Sequence, residues 1–80
     1  MVRLRPSVVE ALEHHGLQPG PGDTPETLRE RLNDLYLEDV RRLRERQRSG
    51  EIPLPEYAGH AEALKDAYPL LGLPLSLWVE

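Results

Sequence analysis

The sequence predicts an all-α fold of three helices, and three observations lead to that prediction. Leucine dominates the apolar residues, with fifteen in 80 positions and no phenylalanine, and leucine is a strong helix former. No glycine or proline lies between Pro25 and Gly50, so nothing interrupts a long central helix over about residues 25–49. Apolar residues in that segment recur at three- and four-residue spacing, which places them on one helix face.

Residues that begin and end helices locate the first element. Ser7 and Glu10 have the spacing of a capping box, so we expect a short helix over about residues 7–15 that ends at Gly16. Proline and glycine alternate in the stretch that follows, and neither continues a helix. The sequence therefore predicts a loop over residues 16–24.

The long helix and the next one predict an αα-hairpin. Thr24 is a good N-cap, and Pro25 suits the first helical position. Gly50 is expected to end the long helix in the left-handed conformation. A turn over residues 50–55 and a third helix over about 55–68 follow. A connection this short favours antiparallel packing of the two helices.

The last segment, residues 69–80, is an apolar tail. Its prolines and its glycine exclude a helix before residue 75, and every second position is a leucine or valine, a period typical of extended chain. We expect an extended or short β-paired tail, in which Leu75–Val79 lie across the hairpin or pair with Val2–Arg5. All elements are expected to form a single small domain over residues 1–80.

Composition argues against several classes of function. The net charge is −4, and an acidic chain is a poor candidate for nucleic-acid binding. The absence of cysteine excludes disulfides and thiolate zinc sites, and it agrees with a reducing compartment. No apolar stretch has the length of a membrane span or a signal peptide. We therefore expect a cytoplasmic protein without membrane contact.

The histidines are the candidates for metal binding. Glu10 and His14 are four residues apart on the first helix, a spacing that can share a metal, and His60 could approach from elsewhere. The simpler interpretation is that His14 and His15 complement the negative end of the first helix. We expect no catalytic residue, cofactor or metal ligand, and metal-dependent activity through His14 and His60 is the third alternative.

One acidic residue, Asp39, falls inside the apolar stripe of the long helix. A carboxylate in that position either meets a basic donor or acts as an acid or base. Arg42 and Arg46 border the same side of the helix, so we expect Asp39 to contact one of them or another donor. A structural ion pair is the favoured interpretation.

The second half of the long helix is rich in arginine. A basic run of this kind can contact phosphates, and the candidates for such contacts are Arg41, Arg44 and Arg48. No aromatic residue lies among them to stack on bases. A nucleic-acid-associated accessory protein is therefore the alternative function, and a solvated helix end is the favoured interpretation.

The turn between the long helix and the third helix has a recognisable motif. Residues 50–57 read Gly-Glu-Ile-Pro-Leu-Pro-Glu-Tyr, preceded by Leu43. This stretch resembles the G-x-I-x-x-x-E-[F/Y] turn of the short C-terminal helical-hairpin (SHOCT) family, over about a third of the chain. The resemblance implies an oligomerisation or targeting module, and it carries no catalytic residues over to this chain.

The expected function is a small non-catalytic module for protein–protein interaction or oligomerisation. Apolar residues on the long helix and in the tail exceed what two helical stripes can cover, and uncovered apolar surface marks interaction sites. The predicted interface residues are Leu37, Val40, Leu71, Leu73, Leu75, Leu77, Trp78 and Val79. The expected partner is a second copy of the chain or another protein, because so short a chain has a thin core.

Overall fold

The computed structural model describes residues 3–80 and confirms the all-α prediction. Three α-helices follow one another along the chain: α1 (Pro6–His14), α2 (Pro25–Arg48) and α3 (Leu54–Asp66). Two short 3₁₀ turns, Pro69–Gly72 and Leu75–Leu77, form the tail. Among the described residues, no helix combines the length and the apolarity needed to cross a membrane.

The chain divides into two compact units. The first unit comprises the residues up to Asn33 together with Leu70–Glu80, and the second comprises Asp34–Pro69. The long helix α2 contributes residues to both units, and within the second unit it forms the predicted hairpin with α3. That all elements belong to a single domain stays a prediction.

Helix α1 begins one residue earlier than predicted, and Ser7 is not its cap. The N-cap is Arg5 in an extended conformation, without a side-chain hydrogen bond, and Pro6 is the first helical residue. Proline has the φ of a helix built in and lacks the N–H that the first turn leaves unpaired. The helix therefore starts at Pro6 without needing the Ser7 hydroxyl.

The end of α1 follows the prediction. Gly16 has φ of +80°, and its N–H donates to the Glu13 carbonyl at 2.9 Å. The Leu17 N–H donates to the Leu12 carbonyl at 2.9 Å. These two bonds form a Schellman motif, which satisfies carbonyls that the helix end would otherwise leave unpaired.

Helix α2 begins and ends where the sequence predicts. The N–H of Thr27 donates to the Thr24 hydroxyl at 3.2 Å, and the N–H of Thr24 donates to the Thr27 hydroxyl at 2.9 Å. This reciprocal pair is a capping box in which a threonine replaces the usual glutamate. Gly50 has φ of +85°, which confirms the predicted left-handed end, and the N–H of Ile52 closes the turn onto the Arg46 carbonyl at 3.2 Å.

The tail is coiled instead of extended, so the alternation of its leucines was misleading. Its pairing with the N-terminal segment is confirmed as one antiparallel bridge, between Leu4 and Val79. The Arg5 N–H donates to the Trp78 carbonyl, and the Glu80 N–H donates to the Arg3 carbonyl, both at 3.0 Å. The 3₁₀ turn Leu75–Leu77, which follows Pro74, lies just before Val79, so the backbone there is not extended and the ladder does not continue. Val2 lies outside the described residues.

The two units have cores of different size. The buried apolar residues of the first unit are Val8, Leu12, Leu28, Leu32, Leu70 and Trp78. Those of the second unit are Leu43, Ile52 and Tyr68. Helix α3, although thirteen residues long, contains no buried residue.

Candidate functional site

Asp39 is held by two donors in the second unit. The Tyr68 hydroxyl donates to Asp39 Oδ2 at 2.5 Å, and Arg42 Nη1 lies 3.8 Å from Oδ1. The prediction that Asp39 meets a donor is confirmed, with Arg42 as the named partner and Tyr68 as one that sequence reasoning missed. Arg46 pairs with Glu51 instead, with 3.2 Å between Nε and Oε2.

The environment of Tyr68 stabilises its neutral form. Burial, and secondarily the hydrogen bond to Asp39, raises the pKa of Tyr68 to about 12. The Tyr36 ring meets the Tyr68 ring edge-on, with 5.3 Å between the centroids. A phenol with so high a pKa stays protonated near neutral pH, so it can donate a hydrogen bond but is poorly suited to transferring protons. The hydrogen bond therefore links the residue that follows α3 to the middle of α2.

An open groove lies beside Asp39 in the second unit. It has a volume of about 460 Å³, and its polar lining comes from Asp39, Arg42, Arg46 and His60. Both arginines are already in ion pairs with carboxylates. The groove therefore offers little positive charge to an incoming ligand.

The histidine hypothesis gains no support from the structure. In the described part of the chain, no three His, Cys, Asp or Glu side chains come together in a group that could hold a metal ion. His14 and His15 meet edge-on, with 5.8 Å between ring centroids. Metal-dependent activity through His14 and His60 thus keeps only its sequence spacing in support.

The five arginines in the second half of α2 fall into two groups. Arg42 and Arg46 pair with carboxylates, whereas the three predicted phosphate contacts are exposed and, within residues 3–80, take part in no ion pair. The spacing of those three, at i, i+3 and i+7, puts them on one face of the helix. They are Arg41, Arg44 and Arg48.

The predicted interface residues differ in exposure. Leu37 is 47% exposed, and Leu73 and Leu77 are also exposed. Half-buried positions are Val40, Leu71, Leu75 and Val79. Trp78 is fully buried, at 0%, so its assignment to an interface was wrong: the tail coils back and places the indole in the core of the first unit.

The most exposed leucine was not predicted. Leu54, the first residue of α3, is 68% exposed. In the sequence it stands between two prolines in the turn motif, and that context gives no periodicity from which to judge its exposure. Only the start of α3 at this position shows that its side chain projects from a helix end.

Comparison with known proteins gives no further guide. No protein-family model matches the chain, and neither curated proteins nor solved structures give a significant match. The resemblance of residues 50–57 to the helical-hairpin family therefore stays a prediction. The exposed side chains are the remaining guide to function.

Proposed function

We propose that the chain is a non-catalytic protein–protein interaction module. The observation that carries this proposal is that α3 buries none of its thirteen residues. A helix of that length is marginal in water unless an apolar face packs against something. Tyr57 and Leu64 are only half-buried and Leu54 is exposed, so a partner would complete the packing.

Other features support the same proposal. The exposed Leu37 lies in the same unit as α3. The resemblance of residues 50–57 to the turn of an oligomerisation or targeting module agrees with it. A cytoplasmic location, which the lack of cysteine favours, belongs to the proposal, as does a partner that is a second copy or another protein.

A matched pair of variants tests the proposal. Leu54→Ser removes the exposed apolar side chain, and Glu62→Ser changes an exposed residue of the same helix. Each variant and the wild type are used as tagged bait in the native cell, together with a differently tagged second copy. We expect the wild type and Glu62→Ser to retain a partner that Leu54→Ser loses, with unchanged circular dichroism.

The substitution at Leu54 should leave the fold intact, so a negative binding result can be interpreted. Leu54→Ser is an exposed substitution, for which the expected cost in stability is within about 0.5 kcal/mol. If all three baits retain the same proteins, or none, although all three are folded, α3 is not an interaction surface and the proposal is wrong.

One observation favours a second candidate function. Three exposed arginines share one face of α2 and have no carboxylate partner among the described residues: Arg41, Arg44 and Arg48. A surface that binds phosphates needs unpaired basic side chains of this kind. For a nucleic-acid-associated protein, retention on DNA or RNA falls steeply with salt. Replacing the three arginines by glutamine would then abolish retention.

A further inference from the structure

One face of α2 carries a pattern of residues that is symmetric about its centre. Seven positions of this single continuous helix follow each other at spacings of four, three, four, four, three and four residues, so all lie on one side of it. Every one is exposed. We call them the outer face: Glu26, Glu30, Asn33, Leu37, Arg41, Arg44 and Arg48.

The symmetry lies in both spacing and charge. Glu26 and Arg48 are each eleven residues from Leu37, and Glu30 and Arg44 are each seven residues from it. Acidic residues thus stand on one side of Leu37 and basic residues at matching distances on the other. A surface in which position and charge match in this way is self-complementary.

The charges of the outer face have no partners on the described chain. All described ion pairs of α2 use residues from its other sides, as Arg31 with Asp23 and Arg46 with Glu51 show. Neither the two glutamates nor the three arginines of the outer face take part in one. Their electrostatic attraction is therefore available to another molecule.

The helix dipole does not account for the pattern. It favours acids in the first turn and bases in the last, and its effect fades beyond that turn. Glu30 and Arg41 stand more than a turn from the helix ends. Elsewhere on α2 the order is mixed, because Arg29 lies in the first half and Glu45 in the second. Segregation of charge is a property of the outer face.

We infer that the outer face docks on the outer face of a second copy, antiparallel, with Leu37 at the twofold axis. This inference rests on the proposed function, in that the chain is an interaction module, and it adds a second surface, on α2, whose partner is another copy of the chain. In such a pair, Glu26 of one copy faces Arg48 of the other, Glu30 faces Arg44, and the two Leu37 side chains meet. A parallel pair would set acid against acid and base against base, so the charges select the antiparallel arrangement.

The geometry of α2 suits this pairing. The spacing averages close to the 3.6 residues per turn of a straight helix, so two outer faces stay in register side by side without strong supercoiling. The segment from Glu26 to Arg48 spans about 33 Å. Solvent-exposed ion pairs are individually weak and are screened by salt. The dimer is therefore weak, its register is fixed by charge, and it weakens as salt is raised.

The same face is a poor surface for a nucleic acid. Phosphates attracted to the arginines would run towards Glu26 and Glu30 along the same helix, and like charges repel. A second copy uses both ends of the face, whereas a polyanion uses one end and is opposed by the other.

Cysteine variants test the register directly, because the natural chain contains no cysteine. Leu37→Cys places a thiol at the proposed axis, and Glu38→Cys is the matched control, exposed but turned away from the outer face. Under mild oxidation we expect Leu37→Cys to form a disulfide-linked dimer at least about tenfold faster than Glu38→Cys. Glu26→Cys should cross-link with Arg48→Cys in a mixture and not with itself.

Charge reversal supplies a second test by sedimentation velocity on the full chain. Arg44→Glu and Glu30→Arg each place like charges opposite each other, so we expect each variant alone to be monomeric. The double variant, or an equal mixture of the two single variants, restores opposite charges and should restore the dimer. Both positions are exposed and outside the described ion pairs, so circular dichroism should be unchanged.

The outcomes separate this inference from the proposed function. A dimer that ignores the charge reversals, with equal cross-linking at positions 37 and 38, overturns the antiparallel pairing while self-association stands. A chain that stays monomeric yet keeps a Leu54-dependent partner also overturns it and leaves the proposed function intact. Salt-sensitive retention on nucleic acid that is lost in Arg44→Glu, in a chain that stays monomeric, overturns it in favour of the nucleic-acid alternative.

Discussion

The two units of the chain satisfy their apolar residues in different ways. In the first unit, α1 and the start of α2 contribute buried side chains, and the tail adds Leu70 and the fully buried Trp78. In the second unit, α3 contains no fully buried residue, and the exposed Leu54 begins this helix. Within one short chain, therefore, the first unit buries six apolar residues although Leu73 and Leu77 stay exposed, whereas the second unit buries three and α3 supplies none of them. The difference between the units is one of core size.

The largest expected effect is at Trp78. Trp78→Ala removes the largest fully buried side chain, and such truncations cost about 3–5 kcal/mol, a large part of the stability of a small domain. We expect urea denaturation to show little folded protein. Ile52→Ala in the second unit should cost less, because isoleucine is the smaller side chain and that unit has fewer buried residues. Equal costs for the two variants would contradict the difference between the units.

A milder change at the same position sharpens the result. The Trp78 indole N–H is buried and has no hydrogen-bond acceptor among the described residues. Trp78→Phe removes that donor, whose burial without a partner is unfavourable, while keeping an aromatic ring in the core. We therefore expect Trp78→Phe to cost much less than Trp78→Ala.

The next effect is the alkaline stability that Tyr68 gives to the second unit. The native pKa of Tyr68, about 12, lies above its ordinary value of 10.0, so the unfolded chain loses this proton first as pH rises. The stabilisation is complete below pH 10 and is lost between about pH 10 and 12, by about 3 kcal/mol. Denaturation across this range should show the fall in the wild type and in Tyr57→Phe, and not in Tyr68→Phe.

The smallest effect concerns two glycines of the second unit. Gly50 has positive φ, and an alanine there incurs the cost of a left-handed backbone, about 1–2 kcal/mol. Gly59 lies inside α3 with open space where the methyl group of an alanine would project, so Gly59→Ala should stabilise by about 0.5–1 kcal/mol through helix propensity. A lower melting temperature for Gly59→Ala would show that this side of α3 is packed, and a higher one for Gly50→Ala would show that α2 does not need the left-handed backbone at its end.

Helix ends were predictable because their causes are local. Thr24 caps α2 through its own hydroxyl, and Gly16 and Gly50 end their helices with a backbone conformation that suits glycine. The predicted start of α1 was one residue too late. Ser7 has the residue type of a helix cap, but the helix begins at Pro6.

Long-range features were not predictable from periodicity. Tyr68 meets Asp39 across 29 positions of sequence, and no local pattern specifies that pairing. The leucines of the tail alternate like a strand, yet the backbone forms 3₁₀ turns and buries Trp78. The spacing and charge of the outer face can be read from the sequence. Periodicity alone does not show that all seven positions, including Leu37, are exposed, and the structure shows that they are.

Native-state hydrogen exchange tests the difference between the two units most directly. Amides of well-packed elements exchange only through large-scale unfolding, whereas those of poorly packed elements exchange through local opening. In dilute protein without a partner, we expect the amides of α3 to exchange much faster than those of α1, whose Val8 and Leu12 are buried. Equal protection of α1 and α3 under those conditions would show that α3 is already well packed within the chain. That result would contradict the proposal that α3 needs a partner to complete its packing.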